Sequence, residues 1–415
     1  VVSGATWFSP EQIRAGAPSL AEGSVPLLPQ VQKELVQLNA GSSDRRITPV
    51  LRPGRYPGTL EAELKVDDTP PVHGSIEVNN RYTADTTRTR VTGILGYDNL
   101  WQRQHAASLG YQTAPENTDD GTVLFGTYSA RLGASPWLAS GYYVDSDTAV
   151  STVGTLGVLG KGQIAGLRFI RPLPPLAGGF QRATLGIDYK DFDESIALTG
   201  NQPSIETPIN YGILSAGWGL TFAGETTSSE LNLLGVFGPR FLGNEAEEFA
   251  NKRSGAKPGF AHLGISLAHG RELWADTRLR IAISGQLADS PLISNEQFSF
   301  GGATSVRGYL ESEQFVDDGL YTQLELLSPD WGRGLPGFSS GRLLAFLDAG
   351  GGRLKDPLPE QDDDFFLWST GLGFRAVIWG SLTADVEWAY PLRDSSDGSI
   401  ESGDSRWHFN TRVAF

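Results

Sequence analysis

Asp276-Thr-Arg-Leu-Arg-Ile-Ala-Ile-Ser-Gly-Gln-Leu287 changes character at almost every residue. Leu279, Ile281, Ile283 and Leu287 take one face; Arg278, Arg280, Ser284 and Gln286 take the other. A period of two belongs to an extended strand, whose successive side chains point to opposite sides. The pattern returns in 380–391, where Leu382, Val386, Trp388 and Tyr390 oppose Thr383, Asp385 and Glu387. It closes the chain as Trp407, Phe409, Val413 and Phe415 against His408, Asn410 and Arg412. Such a strand has one side for lipid and one for a wet interior.

Working outward, strand-like runs recur near 71–83, 86–97, 105–114, 121–132, 137–147, 162–171, 180–191, 209–222, 226–237, 258–269, 318–328, 341–349 and 365–377. With the three above they make about sixteen, an even number, as a closed up-and-down outer-membrane barrel requires. The breaks between them alternate in length. Short ones such as 133–136 and 223–226 alternate with long ones near 148–161, 192–208, 238–257, 288–317, 350–364 and 392–406. Short turns on one side of a membrane and long loops on the other are the asymmetry of such barrels. Composition agrees, with 51 Gly, 10 Trp, 12 Tyr and 20 Phe among 415 residues and a mean hydropathy of -0.21. No apolar run approaches the ~20 residues of a membrane-spanning helix.

The first 69 residues differ in kind. Ser9-Pro10-Glu11-Gln12 is a helix start, with Ser as the cap and Pro at the first helical position. A helical pattern over 27–38 places Val31, Leu35 and Leu38 on one face. Two strand-like runs, 46–51 and 59–66, follow around Pro53-Gly54-Arg55-Tyr56-Pro57-Gly58. The order describes a small α+β domain at 1–69 ahead of a barrel at 70–415. Because Val1-Val2-Ser-Gly starts inside what reads as a strand end, the sequence is read as a mature or truncated chain.

Between the eleventh and twelfth strands, 288–317 is too long for a hairpin connection. It carries Phe298-Ser-Phe-Gly-Gly-Ala-Thr-Ser-Val306-Arg307-Gly308-Tyr309. Phe298, Phe300, Val306, Tyr309 and Leu310 are apolar anchors, and Gly301, Gly302 and Gly308 permit a tight backbone reversal. Arg307, at the tip, needs an acidic partner if it leaves bulk water. On the thirteenth strand Leu343, Ala345 and Leu347 form the apolar face, so Arg342, Phe346 and Asp348 point inward. If the loop turns inward, Asp348 is the bidentate partner, with Glu325, Asp385 and Glu387 on lumen faces as secondary ones; spacing alone leaves open that Arg307 sits on an exposed outer loop and these acids only hydrate the lumen.

Phe300-Gly301-Gly302 followed by Val306-Arg307-Gly308-Tyr309 resembles the sixth-loop motif of the two-partner-secretion transporters (TpsB type), the haemolysin secretion/activation proteins of the BamA/TpsB superfamily. Phe346-Leu-Asp348-Ala-Gly350 is similar to the F-x-D-x-G motif of their thirteenth strand, and Pro71-Val-His-Gly-Ser-Ile-Glu-Val-Asn-Asn80 to their first barrel strand. The resemblance covers essentially the whole chain and identifies 1–69 as POTRA-like. It implies an outer-membrane translocator with a periplasmic POTRA-like domain, exporting a TpsA-like partner protein in extended form. Loop 288–317 would fill the lumen, with Val306, Arg307, Gly308 and Tyr309 as the loop motif and Phe346, Asp348, Gly350, Glu325 and Glu387 as its partners on the wall. Further partners implied are outer-membrane lipids and the barrel assembly machinery, which reads a last strand such as the one ending in Phe415. A client strand would add to the sheet edge between the second helix and the 46–51 run; the equal alternative is a spacer that docks the barrel. Two other readings stand beside this one: a BamA-like factor that inserts other barrels, and a passive porin.

Enzyme chemistry finds little support. His73, His105, His262, His269 and His408 lack metal-ligand spacing. No P-loop or G-x-S-x-G elbow occurs. Gly154, Gly157, Gly160 and Gly162 lack the strand-then-helix context of a nucleotide site. Asp362-Asp363-Asp364 and the acidic run Asp394 to Glu401, with Asp397 inside it, read as solvated loops. Cysteine is absent, which removes disulfides and thiolate metal sites. A formal charge of -15 argues against nucleic acid as partner. No cofactor is expected.

Overall fold

The computed structural model describes the chain except residues 41, 85, 134, 148–149, 154–155, 160, 194, 197–204, 360 and 397. Gly154, Gly160, Asp397 and part of the 192–208 connection therefore lie outside the described residues.

The N-terminal module is a three-stranded sheet under two helices: β1 (Val2–Ser3), α1 (Pro10–Ala15), α2 (Leu28–Ala40), β2 (Arg45–Pro53) and β3 (Leu60–Asp68). The sheet order is β1-β3-β2, with β1 parallel to β3. Ser9 caps α1 by accepting from the Gln12 N–H, and Pro10 sits where a missing donor costs nothing. Phe8, Ile13, Val31, Leu35, Ile47 and Leu64 are buried together as a core of their own.

Sixteen antiparallel strands then close into one barrel: Val72–Asn79, Arg90–Leu100, His105–Thr113, Val123–Arg131, Leu138–Ser146, Gly162–Leu176, Gly179–Phe192, Ile209–Ala223, Thr227–Phe237, Ala261–Glu272, Arg278–Ala288, Asp318–Leu327, Phe338–Arg353, Asp364–Ile378, Leu382–Pro391 and Arg406–Ala414. The sixteen-strand expectation is met, and so is the alternation that led to it. On the thirteenth strand Leu343 and Leu347 face outward and exposed, whereas Arg342, Phe346 and Asp348 are buried inside. Exposed Trp101, Trp274 and Trp379 ring the end that carries the short turns, a girdle of the kind that sits at lipid headgroups. The long connections, 238–260 and 289–317 foremost, open at the opposite end.

The wall closes where the last strand pairs with the first, Asn410↔Asn79 through Ala414↔Ser75. Gly74 and Phe415 exchange backbone hydrogen bonds there. The Phe415 ring lies over Gly74, whose missing Cβ would sit 2.3 Å from it. Asn80 lengthens the seam by accepting from the Phe409 N–H and donating to the Trp407 carbonyl.

The module is docked on the barrel's short-turn end. Gln102 accepts from the Ser9 N–H (2.8 Å) and donates to the Trp7 carbonyl (3.0 Å). His73 on the first barrel strand reaches Asp44 (3.1 Å) and Asp98 (3.5 Å). The five histidines show no ligand spacing in sequence, yet the fold gathers three groups that could ligate a cation, because Asp44 precedes β2 and Asp98 lies on the second strand.

One expectation fails locally. The alternation predicts a wet lumen face, but at the long-loop end of the fourth to ninth strands it is apolar, with Val123, Phe125, Ile164, Phe192, Tyr211 and Val236 buried in one cluster. Strands there are apolar on both faces, as in Val123-Leu124-Phe125, so alternation alone could not assign a wet side.

Candidate functional site

The 289–317 connection turns into the barrel. Its arms pair as a short ribbon, Phe298–Phe300 with Gln314–Val316, and the segment between them reverses through Gly301, Gly302 and Gly308 at φ +114°, +96° and +95°. Positive φ at that spacing strains any side chain, which accounts for the glycines. Val306 and Tyr309 are fully buried with Phe300, Leu310 and Leu367.

At the tip Arg307 is 1% exposed. Its Nε and Nη2 donate to Asp348 at 2.6 and 2.8 Å in a fork, and its backbone N–H adds a third bond to the same carboxylate at 3.1 Å. Nη1 donates to Glu325 (2.9 Å) and lies 3.2 Å from Glu387. The guanidinium sits 3.6 Å from the centroid of the Phe346 ring. Arg375 bridges Glu325 (2.8 Å) and Glu387 (2.7 Å), and Arg280 reaches Glu325 at 3.1 Å. Three carboxylates thus meet three guanidinium groups. Charges removed from water hold together only with such complete pairing, and removing one member leaves its partner stranded.

The thirteenth strand's motif has a mechanical reading. Asp348 takes the fork. Phe346 supplies the face on which the guanidinium stacks, and its own ring rests on Gly371, where a Cβ would come within 2.4 Å of it. Gly350 leaves room for Phe300 and Val306, whose atoms would lie 2.8 and 2.9 Å from a Cβ there. The neighbouring loop residues are fixed as firmly. The Gly308 N–H donates to Nε2 of His408 (2.9 Å), and the Tyr309 hydroxyl donates toward the carbonyls of Arg393 (2.7 Å) and Trp368 (3.0 Å).

Of the acids named from parity, Asp348, Glu325 and Glu387 converge on Arg307. Asp385 does not: it stands 3.9 Å from Arg375, one rung displaced from the contact. Strand parity does not single out Arg375, Arg280 and His408 as partners. Arg375 had a signal, being the one cation in 364–378, on the face opposite exposed Trp368 and Leu372.

Nearer the loop's root, two more buried acids anchor it. Asp317 accepts from both Nη atoms of Arg253 (2.6 and 2.7 Å) and from the backbone of Leu292 and Lys355. Glu296 accepts from Lys190 (2.5 Å) and Tyr211 (2.6 Å). Burial by itself would raise the Glu296 carboxyl, but the adjoining Lys190 and His262 hold it well below the ordinary carboxylate range.

The family model for the haemolysin secretion/activation protein ShlB/FhaC/HecB matches residues 60–376. The chain belongs to this family. Among its relatives, the heme/hemopexin transporter protein HuxB of Haemophilus influenzae strain 86-028NP is 28% identical over 219 residues, 50% of this chain and 36% of HuxB. The outer membrane transporter CdiB of Dickeya dadantii is 23% identical over 409 residues, 89% of this chain and 66% of CdiB. The chain thus spans less than two thirds of the length of these relatives. CdiB from Escherichia coli has the same fold, with a TM-score of 0.74 at 18% identity, covering 98% of this chain and 74% of that one. BamA from Haemophilus ducreyi lacking POTRA domains 1–3 superposes with a TM-score of 0.66 at 13% identity, covering 100% and 83%. As a ShlB/FhaC/HecB-family barrel, the chain resides in the outer membrane.

Proposed function

We propose that the chain exports a TpsA-like partner protein, in extended form, through the barrel lumen, with loop 288–317 as the gate. The observation that carries this reading is the loop tip seated deep in the lumen by ionic and hydrogen-bonded contacts that can part and re-form. A wall meant to stay shut has no need of a charged, wholly complemented latch. The passive porin gives that latch no task.

Residues 1–69 act as a POTRA-like receiving domain in the periplasm. The outer edge of β2 is the surface for an extended client, but it is short. Asp44 and Gly54 bond toward β3, so the odd-numbered residues of β2 face the free edge. There Ile47 already exchanges both backbone bonds with the Asn39 side chain, and Pro49 and Pro53 have no N–H. Leu51 supplies the one donor over 49–53, a length suited to brief capture rather than firm storage.

With no nucleotide site in the sequence, folding of the client outside supplies the direction. A partner variant unable to fold is expected to leave the cell far more slowly than the native partner at equal expression, as read by secretion in pulse-chase. Equal rates would overturn the folding-driven step.

The insertion-factor reading draws on the seam between last and first strands, whose ladder is the shortest in the barrel. Asn80 and Phe415 extend its hydrogen bonding, which weakens that reading.

A further inference from the structure

Where the module meets the barrel, two carboxylates from separate parts of the chain converge on one imidazole. Asp44 immediately precedes β2 of the module and its side chain is 6% exposed; Asp98 lies on the second barrel strand. His73, on the first barrel strand, pairs with Gly96, so Asp98 is its diagonal neighbour on the same face of the sheet. Nε2 of His73 stands 3.1 Å from each oxygen of Asp44 and 3.5 Å from Asp98. One donor atom from each of the three residues falls within 4.8 Å of the other two. The backbone holds this arrangement from both sides: the Asp98 N–H donates to the Pro71 carbonyl (2.9 Å), and the Thr69 N–H to the Asp44 carbonyl (2.8 Å).

The cluster is short of positive charge. Two carboxylates side by side repel, and a buried one keeps its charge only with a partner. Among the described residues no Lys or Arg pairs with Asp44 or Asp98, and a neutral imidazole brings no charge. A divalent ion supplies it. Zn²⁺ takes nitrogen and oxygen ligands at about 2.0–2.2 Å in a tetrahedron, which sets neighbouring ligand atoms about 3.3–3.6 Å apart. The Nε2 to carboxylate distances lie within a few tenths of an ångström of that edge. One imidazole and two carboxylates fill three positions, and the half-exposed side of His73 and Asp98 leaves the fourth to water. The imidazole favours such an ion over Mg²⁺ or Ca²⁺, which prefer all-oxygen sets.

We propose that Asp44, His73 and Asp98 form a Zn²⁺ site that staples the N-terminal module to the first two barrel strands. His73 adjoins Gly74, which exchanges backbone hydrogen bonds with Phe415, so the ion also steadies the first strand where the wall closes. The site stands independently of the export reading.

Isothermal titration of the whole chain in detergent with Zn²⁺ should find one site per chain. His73→Ala and Asp98→Asn should each weaken it at least about tenfold, since even the loss of an outer-shell partner costs that much. Asp98→Asn is isosteric and half-exposed, and serves alone if His73→Ala does not assemble. Hydrogen exchange reads the staple itself. The Ser9 N–H, which donates to Gln102 across the same junction, should exchange about tenfold more slowly at a Zn²⁺ concentration about ten times Kd, and at an unchanged rate in both variants. His73→Lys keeps a cation between the carboxylates and should not respond to Zn²⁺. Equal Zn²⁺ binding by the variants, binding at millimolar Zn²⁺ alone, which is an adventitious ion only, or a Ser9 exchange rate indifferent to Zn²⁺ would each overturn the staple.

Discussion

Arg307→Ala should turn a mostly closed barrel into a mostly open one. Planar-bilayer recordings are expected to show the loop-out, conducting state favoured by about 100-fold or more over the unsubstituted chain. The magnitude follows from what is left behind. Asp348, which is fully buried, loses all three bonds it accepts from Arg307, and the cluster keeps three acids, Asp348, Glu325 and Glu387, against two cations, Arg375 and Arg280. Stranding one partner of a buried pair costs about 3–5 kcal/mol, and 1.4 kcal/mol is tenfold in a population. Asp348→Ala should shift the channel the same way but less far, because Arg307 loses the fork while its Nη1 keeps Glu325 and Glu387. Arg307→Lys should not restore closure, since an ammonium can neither make the fork to Asp348 nor stack flat on Phe346. Conductance indistinguishable among these proteins would mean that other contacts hold the loop.

Gly371→Val is expected to open the barrel without touching any charge. A Cβ at 371 would lie 2.4 Å from the Phe346 ring and 2.1 Å from the Trp388 carbonyl oxygen. The ring must tilt into the place of the guanidinium, or the fourteenth and fifteenth strands must part. Overpacking of this kind costs about 1–3 kcal/mol, which predicts more frequent openings in the same recordings and a lower unfolding temperature in detergent. Phe346→Ala in the same background should relieve the ring clash but not the contact with the Trp388 carbonyl, so the unfolding temperature should stay below that of the unsubstituted chain and the channel should stay leaky. Closed channels in Gly371→Val would show that Phe346 does not need its glycine bed.

The parts legible in the sequence were those that need one strand at a time. Alternation assigned inward and outward faces to Asp348 and Leu347, and the glycines of 301–308 marked a backbone reversal, because both signals are local. Residues that depend on register were less visible. Arg280, Glu325, Phe346 and Gly371 form a single rung across four strands, and nothing within one strand fixes how far it slides against the next. Without that register, parity cannot separate Asp385 from Glu387 as a partner of Arg307. The 238–260 connection, whose Phe249 and Phe260 pack on the apolar lumen wall, was hidden for another reason. Its helix, Ala246–Lys252, is only seven residues long and carries Glu247 and Glu248, so it reads as polar loop until Phe249 is seen buried.

Two residues on opposite sides of the gate contact offer the most direct test. A Cβ on Gly350 would lie 2.9 Å from Cγ2 of Val306, which puts the two Cβ atoms at most about one C–C bond further apart and is compatible with the ~3.5–4.5 Å Cβ separation of a disulfide; the chain has no cysteine to interfere. In Val306→Cys/Gly350→Cys, oxidation should hold the loop in the lumen. Measured against the reduced double variant, and against Gly350→Cys alone because its Cβ crowds Phe300, export of the partner protein and channel opening should both stop, and both should return on reduction, while each single variant is unaffected by oxidant. Undiminished export through the fully oxidised protein would contradict a gate made by this loop.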